Sequence, residues 1–350
     1  MRRLNVQGVR SIWATHVFVA SVLAAGAVLS PHAARGQYLY VPNSNSGVIG
    51  VYTTSGEVVN ASLISGLYEP SAIAISGSNL FVGSYGGAYI GEYTTSGDAV
   101  NPSLITGLSG NPESIVISGS NLFVAIGNPP PGRPGTVAEY TTSGAVVNAS
   151  LLSLPNPVAM ALSGSNLFVT DSNNNSIGEY TTSGATVNSS LVTGLSGPWG
   201  LALYGNDLFV TNVAGTIGEY TTSGAVVNSS LVSSGLSGPV GIAVDGTNIF
   251  VANSNGNTIG EYTMSGAVVN SSLISGLSGA GGIAETVPTP EPSTLALLAT
   301  GGIGLIVVAW RRRIGRRSQA ETASGQDDEP AILLFPSKSA QRTTASRRAA

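Results

Sequence analysis

The residue types that most often carry acid–base or nucleophilic chemistry are nearly missing from the body of this 350-residue chain. There is no cysteine, and the two histidines, His16 and His32, lie in or beside an apolar N-terminal leader. Removing that leader before Gln37 leaves neither His nor Cys. With them go the commonest general base, the usual zinc ligands and any Ser-His or Cys-His nucleophile. What remains is carboxylate. Between Gln37 and Val287, thirteen Asp or Glu face one basic residue, Arg133. That balance argues against a nucleic-acid partner, because phosphate binding needs clustered Lys and Arg. A carboxylate pair can do acid–base work, but no repeat sets two acids obviously together.

Two patterns of polar residues recur. Glutamate precedes tyrosine at Glu92, Glu139, Glu179, Glu219 and Glu261, with Val51 at the sixth position. A ring of carboxylates could bind Ca²⁺ through oxygen ligands. The competing reading is a solvated or locally hydrogen-bonded strand position, and no cofactor is expected. Asn-x-Ser triplets begin at Asn60, Asn148, Asn188, Asn228 and Asn270. They have the form of glycosylation acceptors, but a turn or strand hydrogen-bonding role is the expectation.

These residues sit in a repeat. Tyr-Thr-Thr-Ser-Gly, with Met264 once replacing the second Thr, starts at Tyr52, Tyr93, Tyr140, Tyr180, Tyr220 and Tyr262. The period near 40 residues fits one four-stranded propeller blade. One unit reads as four short β-rich runs: Gly241–Asp245, Asn248–Ala252, Thr258–Thr263 and Ala267–Ile274. Gly, Asn and Ser separate them as turn formers. We name these strands A to D, from the axis outward. The body opens on a B strand, Tyr38–Val41, and ends on an orphan A strand, Gly282–Glu285. The last A strand can therefore complete the first blade and close the ring, leaving few exposed edges. The predicted fold class is all-β, a six-bladed β-propeller; a β-solenoid is the competing architecture.

Strands C and D are nearly identical from blade to blade, whereas the B–C and D–A loops vary. In a propeller these two loop sets share a face, and loops on a rigid scaffold commonly carry binding. That face is expected to hold Glu69, Tyr85, Glu113, Arg133, Asp171, Trp199, Asn212 and Asn253. An exposed aromatic beside Asn, Asp and Tyr suits a sugar or a peptide. Drift in surface loops is the bland alternative.

Both ends read as addresses. Arg2, Arg3 and Arg10 precede an apolar run from about Ile12 to Leu29, then Ala34-Arg35-Gly36. This is the pattern of a secretory signal peptide over 1–36, with an uncleaved anchor as the alternative. The propeller is placed at 37–287. At 288–317 come Pro290-Glu291-Pro292-Ser293-Thr294, an apolar run from Leu295 to Trp310, and Arg311, Arg312, Arg313, Arg316 and Arg317. The run reaches about 24 Å as a helix, slightly short of a bilayer core, with Trp310 and the arginines able to complete the span. The basic flank places everything before Leu295 outside the cytoplasm.

This tail resembles the PEP-CTERM sorting signal. The resemblance implies a transient stay in the inner membrane and recognition by an exosortase-type membrane peptidase. It also implies tail removal and delivery to the cell surface or extracellular matrix of a Gram-negative bacterium. The family pattern usually stops at the arginines, whereas here 318–350 continue as a polar segment expected to be disordered. The repeats resemble NHL-type and streptogramin lyase-like propellers. Lyases of the latter type are thought to need a histidine base, and none of these positions supplies it. The sequence therefore points to a non-enzymatic surface propeller that binds exopolysaccharide or an envelope protein, or serves as a structural spacer. The alternative is a divalent-metal-dependent lyase or lactonase-type enzyme.

Overall fold

A computed structural model describes residues 37–127 and 130–286. The signal peptide, the sorting segment with its apolar run, and the polar tail lie outside the described residues. Among these are 24 strands in six four-stranded antiparallel sheets. Each sheet is one blade, and five follow the chain order A-B-C-D. Blade 1 is the exception. Its strands B, C and D are Tyr38–Asn43, Val48–Thr53 and Val58–Ile64. Its strand A is Ala284–Glu285, from the far end of the body. The chain is thus a six-bladed β-propeller closed by its own last strand. Leu39 faces Glu285 and Tyr40 faces Ala284, and an isolated bridge joins Asn43 to Ala280.

The recurrent Thr-Thr-Ser-Gly is the C–D hairpin. In blade 1 the Gly56 amide donates to the Thr53 carbonyl (2.9 Å), and the Thr53 hydroxyl accepts from the Glu57 amide (3.0 Å). Gly56 sits at φ +88°, as its counterparts do in every blade, a conformation glycine adopts without steric cost. The Asn-x-Ser triplets also act locally. Each asparagine side-chain oxygen accepts from the serine amide two residues on, at 3.0–3.1 Å. There strand D slips register against strand C, so that Val51 pairs with Asn60 but Ile49 pairs with Ile64. This is a bulge that bends the outer strand.

The core is six clusters, one at each seam between neighbouring blades. Strand B supplies the central ring of each: Phe81, Phe123, Phe168, Phe209 and Phe250, all essentially fully buried. At the blade 1–blade 2 seam Tyr40 takes that place, its hydroxyl donating to the Thr95 carbonyl. The seam that joins the two ends of the chain packs Leu39, Val41 and Tyr52 of blade 1 against Phe250, Ile259 and Ile274 of blade 6.

Candidate functional site

At the start of strand A in blades 2 to 6 lies a proline, matched in blade 1 by Ala280 just ahead of its strand A, and the three residues after this position line the mouth of the central channel. The first of the three forms a ring of Gly281, Ser71, Glu113, Val158, Trp199 and Val240 in blade order. Two residues farther along each strand, about 7 Å deeper, lies a second ring of Ile73, Ile115, Met160, Leu201, Ile242 and Ile283. A mixed rim therefore stands above an apolar floor. The cavity between them has a volume of about 760 Å³, within the range of about 300–1,000 Å³ usual for small-molecule sites.

Hydrogen bonds across the seams stiffen the rim. Ser71 donates to the Pro112 carbonyl of the next blade (3.2 Å), and Ser114 accepts from the Met160 amide (3.3 Å). Thr170 donates to the Trp199 carbonyl (3.3 Å) and Thr211 to the Val240 carbonyl (2.9 Å). Ser44 donates to the Pro70 carbonyl (2.7 Å), linking blades 1 and 2. The backbone that presents Glu113 and Trp199 is thus held from both sides, the kind of support that pre-organises a site.

Four of the eight residues expected on the ligand face line the cavity: Glu69, Tyr85, Glu113 and Trp199. Glu113 follows Pro112 in strand A of blade 3 (Asn111–Ser118), and its Cγ packs over Gly127. A Cβ at that glycine would stand 2.8 Å from it. Burial pushes the Glu113 carboxyl up to about 8, because the low-dielectric surroundings disfavour its charged form. Glu69 comes from the D–A loop of blade 2. Its φ is +43°, at the repeat position where Gly197, Gly238 and Gly279 take +66°, +61° and +66°. The Tyr85 amide donates to the Glu69 carbonyl (2.8 Å), and the Glu69 carboxylate leans over Gly86, where any side chain would collide with Oε2.

The other four lie elsewhere. Arg133 is exposed on the insertion in blade 3, outside the cavity lining. Asp171, Asn212 and Asn253 end the B strands of blades 4, 5 and 6, and they are buried beneath the face rather than displayed on it. Asp171 accepts from the amides of Asn156, Asn173 and Asn174 and from the Asn174 side chain (2.9–3.3 Å). Asn212 and Asn253 accept from the Ser196 and Ser237 amides, at 3.2 and 3.0 Å. Each ties a B–C turn to the D–A loop beside it. Their spacing matched a displayed loop, but the backbone amides converging there need an internal acceptor.

The glutamates before tyrosine are spread over five blades. Glu92, Glu139 and Glu179 accept from the side chains of Asn79, Asn121 and Asn166, at 2.7–2.8 Å. Glu219 and Glu261 are raised above the ordinary carboxylate range, first by burial and then by Asp207 and Asp245 respectively. Among the described residues no group of three or more His, Cys, Asp or Glu is placed to hold a metal ion. The residues that sequence reading missed are the other members of the rim: Ser71, Val158, Val240 and Gly281. Their signal was present: one repeat position varies widely between a proline that recurs in five blades and a residue that is always small.

A search of curated protein sequences finds no match. Solved structures share the fold. A chain of the nidogen/laminin complex aligns at TM-score 0.55 and 14% identity, covering 73% of this chain and 100% of that one. A gluconolactonase from Xanthomonas campestris aligns at TM-score 0.53 and 12% identity, covering 62% and 79%. A functionally unknown protein from Desulfotomaculum acetoxidans aligns at TM-score 0.50 and 17% identity, covering 72% and 99%. Identities this low speak to architecture alone. The PEP-CTERM protein-sorting motif matches residues 288–313. Such a motif implies recognition by an exosortase-like membrane protein and marks an exported, membrane-anchored precursor. The chain is therefore a six-bladed β-propeller that carries a PEP-CTERM sorting motif at residues 288–313.

Proposed function

We propose that this chain is delivered to the cell surface or extracellular matrix and there acts as a non-enzymatic binding protein. Its ligand is an envelope or matrix component, a polysaccharide or a protein, held in the mouth of the central channel. The observation that carries this reading is the cavity. Variable residues collect on one rim, including Trp199, the aromatic best suited to stacking on a sugar ring, over a floor of aliphatic side chains. The sorting motif supplies the route, and the body offers neither His nor Cys for the commoner catalytic devices. Two experiments test it. The intact mass of the protein from its host's surface fraction should start at Gln37 and stop within 288–292; a mass that includes Arg317 would replace display with membrane anchoring. Matrix polymer should bind the parent chain and not Trp199→Ala.

A second reading, an enzyme of the lactonase or lyase kind, is favoured by the Glu113 carboxyl, which burial holds protonated near neutrality as a general acid needs. Metal analysis of the purified protein separates the two. A divalent ion retained stoichiometrically at the channel, lost with activity on chelation, supports the enzyme.

A further inference from the structure

The charge around the channel mouth narrows the ligand. Two carboxylates, Glu69 and Glu113, line the cavity, and no Lys, Arg or His does. The whole body between Gln37 and Val287 has Arg133 as its single cation against thirteen acids, and Arg133 lies outside the cavity. The net charge of the body is negative, and low-dielectric walls focus that field at the mouth, where Glu113 stays protonated until a cation draws its proton off. Glu113 lines the cavity, where its carboxyl can pair with a donor brought by a ligand. In the rim, Glu113 and Trp199 hold equivalent positions on blades 3 and 5. The tryptophan ring offers a π-face that attracts both a sugar ring and a cation.

Resting on the binding reading above, we propose that the channel mouth selects a glycan bearing free amines, an amino sugar in its protonated form, and rejects acidic glycans. The ammonium group is placed on the Glu69 and Glu113 side, and the sugar ring over Trp199. Ser44, Asn45, Ser254 and Asn255, which line the cavity with Ser71, offer hydrogen-bond partners to a hydroxyl-rich chain. An anionic polymer would meet the net negative charge of the body with no cation in the cavity to offset the repulsion.

Binding also has a proton signature. Glu113 enters the complex from its protonated form and must ionise to pair with the ammonium group, so association releases about one proton between pH 6 and 7.

The test is isothermal titration of the full chain with three trisaccharides: glucosamine, N-acetylglucosamine and a uronic acid, at pH 6.5 in two buffers of different ionisation enthalpy. The expected result is that the glucosamine trisaccharide binds, its acetylated form binds roughly tenfold or more weakly, and the uronate does not bind. Proton release is expected with the parent chain and not with Glu113→Gln, which should itself bind roughly tenfold more weakly. Equal binding of the free and acetylated sugars, lost in Trp199→Ala, would overturn the amine assignment and leave the site standing. Glucosamine binding unchanged in both Trp199→Ala and Glu113→Gln would remove the site as well. No binding of any sugar, or tighter binding of a lysine-rich peptide than of the amino sugar, would overturn the glycan assignment.

Discussion

Glu69 shows what one residue is held to do against its own conformational preference. The three glycines at its repeat position occupy the left-handed region freely, whereas an L side chain there costs about 1–2 kcal/mol. Glycine returns about 0.5–1 kcal/mol of that in lost chain entropy. Glu69→Gly is therefore expected to raise stability by about 0.5–1 kcal/mol in urea unfolding while weakening ligand capture. A loss of stability would mean that the carboxylate makes a structural contact worth more than the strain. Glu113 gives a prediction of the opposite kind. Its folded-state value near 8 lies above the ordinary 4.5, so the folded chain keeps a proton that the unfolded chain releases. The contribution of this group is fully present below pH 4.5 and is lost as pH rises toward 8. Glu113→Gln, which cannot ionise, should match the parent near pH 5 and melt at a higher temperature than the parent at pH 8. Parallel melting curves across that range would show that the carboxyl is not desolvated.

At the scale of elements, the propeller divides its polar residues between binding and tying loops. Asp171 receives four hydrogen bonds and is almost wholly buried, so Asp171→Ala leaves several donors without an acceptor. The expected cost is about 1–3 kcal/mol, read as a lower urea midpoint with ligand affinity retained. Loss of affinity with stability intact would return Asp171 to the ligand face. The C–D hairpin makes a separate demand. Gly224 lies at φ +87°, where its amide donates to Thr221 and a Cβ would press on the Leu191 carbonyl of the preceding blade. Gly224→Ala should therefore destabilise by more than the backbone strain of about 1–2 kcal/mol, and Gly215→Ala, which meets no neighbour, by no more than that strain.

For the whole molecule the question is whether the seam that closes the ring is as strong as the seams within the chain. Phe250 and Phe123 fill equivalent places at the closing seam and at the blade 3–blade 4 seam, both essentially fully buried. Phe250→Ala and Phe123→Ala should each cost about 3–5 kcal/mol and agree within about 1 kcal/mol. A much smaller cost for Phe250→Ala would mean that the ends of the chain separate before the blades unfold. Glu285 adds a pH dependence at the same place. Burial, and then Asp245, raise its carboxyl to about 7. The closing strand therefore holds best in mild acid and loosens as pH climbs from about 4.5 toward 7. Hydrogen exchange of the Tyr40 amide at pH 5.5 and pH 8 measures this directly.

The amino-acid sequence by itself determined the architecture. Forty-residue periodicity, turn glycines and an orphan last strand are local or countable signals, and they carry the blade count and the mode of closure. The sorting motif was likewise legible because it is a linear address: a short motif, an apolar run and a basic stop in order. The site was legible only in part. Glu113 and Trp199 were legible as members of the variable loop face, but that they share one ring with Ser71, Val158, Val240 and Gly281 follows from six strands meeting at an axis. Asp171, Asn212 and Asn253 looked like displayed loop residues in the linear chain. Their burial under the face was decided by tertiary structure, because converging backbone amides from two loops claim the nearest side-chain acceptor.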